Sequence, residues 1–250
     1  MFVPCFSDET WDFTNSTLVV PAISVGNVGQ LACDLLIHNL NLQKIGYFCV
    51  ELFLPLVANN PFYTSNKNEN SLSLSTEVYH SSTQQITVIQ LRSPLVKGKR
   101  QTFCEALTQW FKALHFKELI TLSSLHAFER SDSQLLGQPF RYLQSSACDP
   151  EKFVEFGWSQ LEQRNVGHGD RVLFMPGGGF TKQLYKMCSE ENIPNVVLLT
   201  FCSEGDNIPE AVTLTQRLNQ WKSFSSKLNS WNYPKSWSHL FGNEPPKEIF

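Results

Sequence analysis

Residues 17–40 read TLVVPAISVGNVGQLACDLLIHNL, and this stretch predicts a strand, a tight turn and a helix in succession. Its first eight residues are mostly apolar, as in a buried strand. Gly26 and Gly29 then mark the turn that ends the strand. Beyond the turn, leucines recur at the spacing that places them on one face of a helix. These leucines are Leu31, Leu35, Leu36 and Leu40.

Strand-like and helix-like segments alternate along most of the remaining chain. Further strands are predicted over 44–51, 76–80, 85–92, 118–124, 171–175 and 195–202, and further helices over 100–116, 149–163, 181–189 and 209–224. The apolar character of 44–51 favours a buried parallel strand, whereas 59–75 is interpreted as a loop and 131–142 as irregular. This order predicts a three-layer α/β/α fold with a mostly parallel or mixed sheet.

We expect a single α/β domain over residues 1–224, followed by an aromatic-rich C-terminal tail over 225–250. A chain of 250 residues is long enough to bury one large core, and its 19 phenylalanines supply material for it. Trp237 and Phe241 in the tail are expected to pack back on the domain. Pro245 and the proline after it should project the last residues as an extended segment.

Charge composition argues against a nucleic-acid-binding protein. The net charge is −3, whereas proteins that neutralise phosphates carry a basic excess. A short basic run contains Lys97, Lys99 and Arg100, and we interpret it as a solvated loop.

The N-terminus and the cysteines predict a soluble protein that is not secreted. The chain begins MFVPCFSDE, without the cationic start of a signal peptide, and no run of about 18 apolar residues predicts a membrane helix. The seven cysteines are odd in number and widely scattered, which is typical of free thiols in a reducing compartment. We therefore expect no membrane association.

Two glycine-containing segments resemble ligand-binding loops but depart from their spacing. In 175–182, MPGGGFTK, the last glycine lies three residues before Lys182 and the threonine precedes the lysine, unlike a phosphate-binding loop. In 24–29, SVGNVG, the first glycine of a dinucleotide fingerprint is missing. Both segments therefore predict structural turns and no cofactor. The glycines assigned this structural role are Gly26, Gly29, Gly177, Gly178 and Gly179.

Catalytic and metal-binding motifs are not found. The sequence contains no G-x-S-x-G, H-E-x-x-H or C-x-x-C, and its six histidines never pair at metal spacing. His126, Lys182 and Glu204 are loose candidates for an acid, base or phosphate site. His126 follows the strand predicted over 118–124, Lys182 follows the glycine turn, and Glu204 lies in the turn over 203–206. The turns should meet at the carboxyl edge of the sheet, where ligands of such folds bind. Asp206 or Asn207 is interpreted as a helix cap. An enzyme of phosphorylase or hydrolase type therefore remains the alternative to a binding protein.

Short segments in fixed order along nearly the whole chain resemble the proteasome assembly chaperone family. These segments are 21–32, 44–48, 59–61, 77–79, 90–93, 139–143, 176–182, 203–209 and 236–242. The resemblance implies a nucleoside-phosphorylase-like α/β/α fold that is used without catalysis. It implies no catalytic residue, metal or cofactor.

The same resemblance implies the partners. A heterodimer with proteasome assembly chaperone 1 is expected to bind 20S proteasome α-subunits in the cytoplasm and nucleus. It should promote α-ring assembly and prevent off-pathway association of α-rings. Members of the family end in a hydrophobic-Tyr-X pattern that docks on the proteasome, whereas this chain ends Glu248-Ile249-Phe250. Ile249 and Phe250 are therefore the candidate docking tail, without the penultimate tyrosine.

Overall fold

The computed structural model describes residues 1–6, 10–62, 71–145, 151–165, 171–225 and 231–239. Within them the chain forms an eight-stranded mixed sheet with helices packed on both faces. The α/β/α fold class predicted from the sequence is confirmed.

The described residues contain twelve strands and six α-helices. The strands are β1 Phe2–Pro4, β2 Thr17–Pro21, β3 Gln43–Phe48, β4 Val57–Asn59, β5 Leu72–Leu74, β6 Thr76–Ser81, β7 Ile86–Leu91, β8 Glu118–His126, β9 Phe140–Gln144, β10 Arg164–Asn165, β11 Arg171–Val172 and β12 Asn195–Cys202. The helices are α1 Val28–Asn39, α2 Arg100–Ala113, α3 Asp132–Leu135, α4 Glu151–Glu155, α5 Thr181–Glu190 and α6 Ile208–Lys222.

The main sheet has the strand order β1-β3-β6-β7-β2-β8-β12-β9. Its four central strands, β7, β2, β8 and β12, are parallel to one another. The flanking strands β6, β3 and β1 on one side and β9 on the other pair antiparallel. Two small antiparallel pairs, β4 with β5 and β10 with β11, lie outside this sheet.

The core is divided in two by the sheet, because successive side chains of a strand point to opposite faces. Val19 of β2 packs in one cluster with Leu36 of α1 and Leu214 of α6. Its neighbours Leu18 and Val20 pack in the other cluster with the apolar faces of α2 and α5. Burying each of these side chains stabilises the fold by about 1.5–3 kcal/mol relative to solvent exposure.

A buried ionic cluster joins α1 to three strands. The fully buried carboxylate of Glu77 lies 3.2 Å from Lys44 Nζ and 3.4 Å from Arg92 Nε, and it accepts a 2.9 Å hydrogen bond from the Tyr79 hydroxyl. Arg92 also pairs with Asp34 of α1 at 3.0 Å. Burial is the largest single effect and lowers the pKa of Arg92, but the neighbouring Asp34, Tyr79 and Glu77 together outweigh burial, so the pKa is raised. The cluster therefore fixes α1 on β3, β6 and β7.

Three predicted segments need correction. Strand 44–51 ends at Phe48 and is antiparallel, not parallel, because it lies between β1 and β6 at the edge half of the sheet. The segment 131–142, interpreted as irregular, contains α3 and the start of β9, which pairs with β12. In the segment 59–75, interpreted as a loop, the described residues include β5, paired with β4.

Two further predictions fail around the small β10–β11 pair. The strand predicted over 171–175 is reduced to Arg171–Val172 and pairs with β10 outside the main sheet. The helix predicted over 149–163 ends at Glu155, because Gly157 adopts a φ of +66° and its amide donates to the Val154 carbonyl. Residues 149 and 150, predicted to open this helix, lie outside the described residues.

The start of the tail packs on the α1–α6 layer. Trp237 is buried in the same cluster as Leu36 and Leu214, as predicted, whereas Phe241 lies outside the described residues. Asn39 fixes this segment through two hydrogen bonds, since its amide donates to the Asn232 carbonyl and its side-chain oxygen accepts from the Asn232 amide. In the part of the chain described above, no helix is both long and apolar enough to cross a membrane.

Candidate functional site at the carboxyl edge of the sheet

The ends of β2 and β8 and the loop after β12 meet at one edge of the sheet and border a cleft of about 470 Å³. The main lining residues are Ser24, Val25, Arg100, His126, Gly177–Gly179 and Glu204. The three small-residue turns predicted from the sequence thus lie together. Parallel β2 and β8 bring their carboxyl ends to the same edge, and the glycine turn before α5 closes the cleft from one side.

The glycine turn brings two backbone segments into contact. Gly179 has a φ of +60°, and a Cβ atom at this position would lie 2.3 Å from the Ile23 carbonyl oxygen. Gly177 has a φ of +81°, and its carbonyl accepts a 2.9 Å hydrogen bond from the Val25 amide. Gly178, between them, has no positive φ, and its Cβ would lie 3.0 Å from Leu125 Cδ2. The turn therefore packs against the loop after β2.

The other two predicted glycines lie in the turn between β2 and α1. Gly26 adopts a φ of +65° in a short 3₁₀ turn, and a Cβ there would lie 2.5 Å from the Asn207 side chain. Gly29 is in the first turn of α1, where a Cβ would lie 2.5 Å from the Leu122 carbonyl oxygen. Small residues at both positions allow α1 and α6 to approach the end of β8.

The serines beside the cleft are bonded to each other and to the backbone. The hydroxyls of Ser24 and Ser124 are 2.7 Å apart, the Ser124 amide donates to Ser24 Oγ, and Ser124 Oγ donates to the Val25 carbonyl. At the preceding position of β8, Ser123 Oγ lies 2.8 Å from Thr181 Oγ1 of α5. A nucleophilic serine needs a neighbouring base, and these hydroxyls have structural partners instead.

Two of the three loose catalytic candidates reach the cleft. His126 and Glu204 line it, whereas Lys182 is exposed on the first turn of α5 and is not among the lining residues. The His126 ring stacks on Phe128 with a centroid distance of 4.8 Å, and its nitrogens have no hydrogen-bond partner among the described residues. Within those residues no three His, Cys, Asp or Glu side chains are grouped to hold a metal ion.

The predicted cap of α6 is divided between two residues. Asp206 Oδ1 accepts a 3.0 Å hydrogen bond from the Ile208 amide at the start of the helix. The N-cap itself is Asn207, whose side-chain amide donates to the carbonyls of Ser203 and Gly205. Both side chains hold the loop after β12 in place, so Asp206 already has a structural partner at this edge.

The starts of α2 and α5 are basic, and one of their cations, Arg100, lines the cleft. Lys97, Lys99, Arg100 and Lys182 surround the starts of α2 and α5, and none of them forms an ion pair within the described residues. The first turns of both helices contain no acidic residue, although an acidic side chain there would be stabilised by the helix dipole. The run interpreted from the sequence as a solvated loop thus continues into α2 and forms a cationic rim.

Large apolar side chains are exposed to solvent on the segments that follow or precede two lining residues, His126 and Met175. We call Phe128, Leu135, Leu136 and Phe174 the apolar platform; their exposed fractions are 78%, 58%, 80% and 37%. Sequence reasoning missed this feature. No local signal marked it, because only three of the nine residues from 128 to 136 are large and apolar.

Comparison with known proteins gives a family match over most of the chain. The model of the PAC2 family matches residues 18–228. Proteasome assembly chaperone 2 of Xenopus laevis is 43% identical over 261 aligned residues that cover 100% of both chains. The protein of the same name from Homo sapiens is 40% identical over 265 residues, again covering 100% of both chains.

Solved structures agree in fold. The crystal structure of Pyrococcus furiosus PbaA, an archaeal homolog of proteasome-assembly chaperone, has a TM-score of 0.67 and covers 86% of this chain and 85% of its own. The two sequences are 15% identical, so this likeness concerns the fold alone.

Proposed function

This chain belongs to the PAC2 family, and we propose that it is a proteasome assembly chaperone subunit that promotes formation of the 20S α-ring. We further propose that it acts as a heterodimer with proteasome assembly chaperone 1 and binds α-subunits in the cytoplasm and nucleus. The observation that carries the proposal is the full-length similarity to proteasome assembly chaperone 2 at 40–43% identity.

A chaperone of this family is a binding protein and not an enzyme. The carboxyl edge is consistent with that role, because the serines beside the cleft are bonded internally and Lys182 is outside it. The alternative of a phosphorylase or hydrolase would require a convergent acid, base or phosphate site. His126 and Glu204 alone do not supply it.

The C-terminal residues are proposed as a docking tail. Ile249 and Phe250 lie outside the described residues and follow a pair of prolines, at 245 and 246, that favours an extended conformation. An apolar pair carried on an extended segment suits a pocket between neighbouring α-subunits. Because the penultimate tyrosine of the family pattern is missing, we propose that this tail is the weaker of the heterodimer's two anchors.

The proposal is tested by co-expressing the chain with proteasome assembly chaperone 1 and then adding α-subunits. We expect a soluble 1:1 heterodimer by size-exclusion chromatography with light scattering, and faster appearance of α-rings on native gels. The chain expressed alone should self-associate because its apolar platform is uncovered. A well-behaved monomer that ignores the partner and leaves α-ring formation unchanged would refute the proposal.

A further inference from the structure

We propose that the apolar platform is the face on which this chain holds its permanent partner subunit. This inference rests on the proposed function, since it assigns residues to the heterodimer contact. Phe128, Leu135 and Leu136 are all more than half exposed, and they come from one nine-residue segment after β8. Single exposed apolar residues are ordinary on protein surfaces, but a group of this size marks an interaction site.

Hydrogen bonds fix the segment that carries Phe128, Leu135 and Leu136. Arg130 Nε donates to the Gln134 carbonyl at 2.9 Å, and Gln134 Nε2 donates to Glu162 at 2.7 Å. The Ser131 amide donates to Gln134 Oε1 at 3.0 Å, which closes the first turn of α3. A segment that is fixed by its own hydrogen bonds loses little conformational entropy when a partner binds.

A second set of contacts attaches Phe174 to the same unit. Arg164 of β10 donates to the Glu129 carbonyl and lies 3.4 Å from the Glu129 carboxylate. The guanidinium of Arg164 also stacks over the Phe174 ring, 3.9 Å from its centroid. The small β10–β11 pair and the segment after β8 therefore present their apolar side chains as one unit.

The exposed area matches what a stable interface needs. Side chains of this size have full accessible areas of about 150–200 Å² each, so the exposed fractions correspond to on the order of 400–500 Å² of apolar surface. A standard interface buries about 800 Å² on each partner, of which about 56–65% is apolar. The platform alone thus supplies most of the apolar part of one side of such an interface.

The apolar platform needs a protein that stays bound to it, and this favours the partner subunit over an α-subunit. An apolar surface of this area promotes aggregation whenever it is bare, so it favours a partner that remains bound. In the proposed function the α-subunits go on to form the ring, whereas the partner subunit belongs to the chaperone itself. We therefore assign the platform to the partner subunit and leave other surfaces for the α-ring.

The cationic rim defines the chemistry of that partner. Arg100 lines the same cleft as His126, and the His126 ring stacks on Phe128 of the platform. A domain that covers both the platform and the cleft therefore contacts the cationic rim, whose side chains form no ion pair within the described residues. We infer that its contacting face is apolar at the centre and carries carboxylates toward Lys99 and Arg100, so association should slow as salt is raised.

The test uses two double variants of the full chain, each co-expressed with proteasome assembly chaperone 1. Phe128→Ser with Leu136→Ser removes the two most exposed members of the platform. Val57→Ser with Leu72→Ser is the matched control, because these residues are 67% and 54% exposed on the separate β4–β5 pair, whose Leu72 carbonyl accepts a hydrogen bond from Lys44 of β3. Heterodimer dissociation constants are measured by mass photometry over a dilution series, with circular dichroism to check folding.

We expect the platform variant to lose about 30-fold or more in affinity for the partner, as hot-spot truncations do, and the control to change by less than about 3-fold. If the wild-type chain does not pair, the proposed function itself is wrong. If it pairs and both variants pair equally well, or if only the control loses affinity, the platform is not the contact. If the platform variant pairs as the wild type does but loses α-subunit binding, the platform binds α-subunits instead. If it pairs normally but no longer self-associates, the platform is a contact between copies of this chain.

Discussion

Substituting Gly179 by alanine should destabilise the protein strongly, because two separate costs coincide at this residue. The φ of +60° is one that alanine adopts at a cost of about 1–2 kcal/mol. The added Cβ would lie 2.3 Å from the Ile23 carbonyl oxygen, and forcing a methyl group into such a contact costs about 1–3 kcal/mol. Alanine also restricts the unfolded chain, which offsets about 0.4–1 kcal/mol.

The net loss for Gly179→Ala is therefore about 1–5 kcal/mol. For a chain of this length each kcal/mol lowers Tm by about 2–4 °C, so Tm should fall by about 2–20 °C. Thermal unfolding monitored by circular dichroism, and urea unfolding for the free energy, measure the change. Calorimetric titration of the wild type with ATP and with inorganic phosphate should give no saturable binding, because the turn packs against protein backbone.

Gly98 provides the matched control. It has a φ of +82°, but a Cβ there would meet nothing within 4 Å, so Gly98→Ala measures the backbone cost alone. We expect it to cost about 1 kcal/mol or less after the gain from the restricted unfolded chain. Equal losses for Gly98→Ala and Gly179→Ala would show that the contact with Ile23 contributes nothing. Tight phosphate binding by the wild type would refute the structural role of the turn.

Three further predictions concern the core, pH and the tail. Arg92→Met should cost about 3–5 kcal/mol in urea unfolding because it leaves Asp34 and Glu77 short of a cation, whereas Lys112→Met at an exposed ion pair should change stability by less than about 1 kcal/mol. Burial lowers the pKa of His80, with Asp12 opposing it in part. As the pH falls, the histidine is therefore protonated in the unfolded state before it is protonated in the folded state, so the free energy of unfolding should decrease from about pH 7.5 to 5.5. The decrease should be smaller in His80→Asn, and an equal pH dependence of wild type and variant would contradict this. Deleting Ile249 and Phe250 should weaken α-ring binding modestly while partner pairing persists, and loss of pairing would place the tail in the core instead.

The sequence predicted those elements whose signal is local. Strand 195–202 is a continuous apolar run, and helix 100–116 repeats large side chains at helical spacing, so both needed no knowledge of their neighbours. The direction of β3 could not be predicted in the same way, because a strand covered on both faces is apolar whether it is parallel or antiparallel. Strand β9 was missed since its five residues are defined by their pairing with β12, more than fifty positions away.

The candidate site likewise has features that the local sequence predicts and features that depend on contacts between distant residues. The turn glycines and the loops at the carboxyl edge follow from strand–turn–helix order, and they do lie together around the cleft. The ionic cluster depends on Asp34 meeting Arg92 across 58 positions of sequence, which no periodic pattern encodes. Exposure of Phe128 and Leu136 is likewise a property of the folded surface, because the same side chains would be buried if another element packed on them.

The serine hydroxyls and the glycine turn at this edge are not arranged as in a reaction centre. A small-molecule site is largely apolar and concave and keeps a few polar groups free to orient a ligand. Here the hydroxyls of Ser24 and Ser124 bond each other, the Val25 amide is used by Gly177, and the turn before α5 rests on the backbone at Ile23. The apolar groups meanwhile point outward on a segment that its own hydrogen bonds hold in place. Such an edge offers little to a small ligand and a preorganised surface to a folded partner, which is the requirement of a chaperone that assembles other subunits.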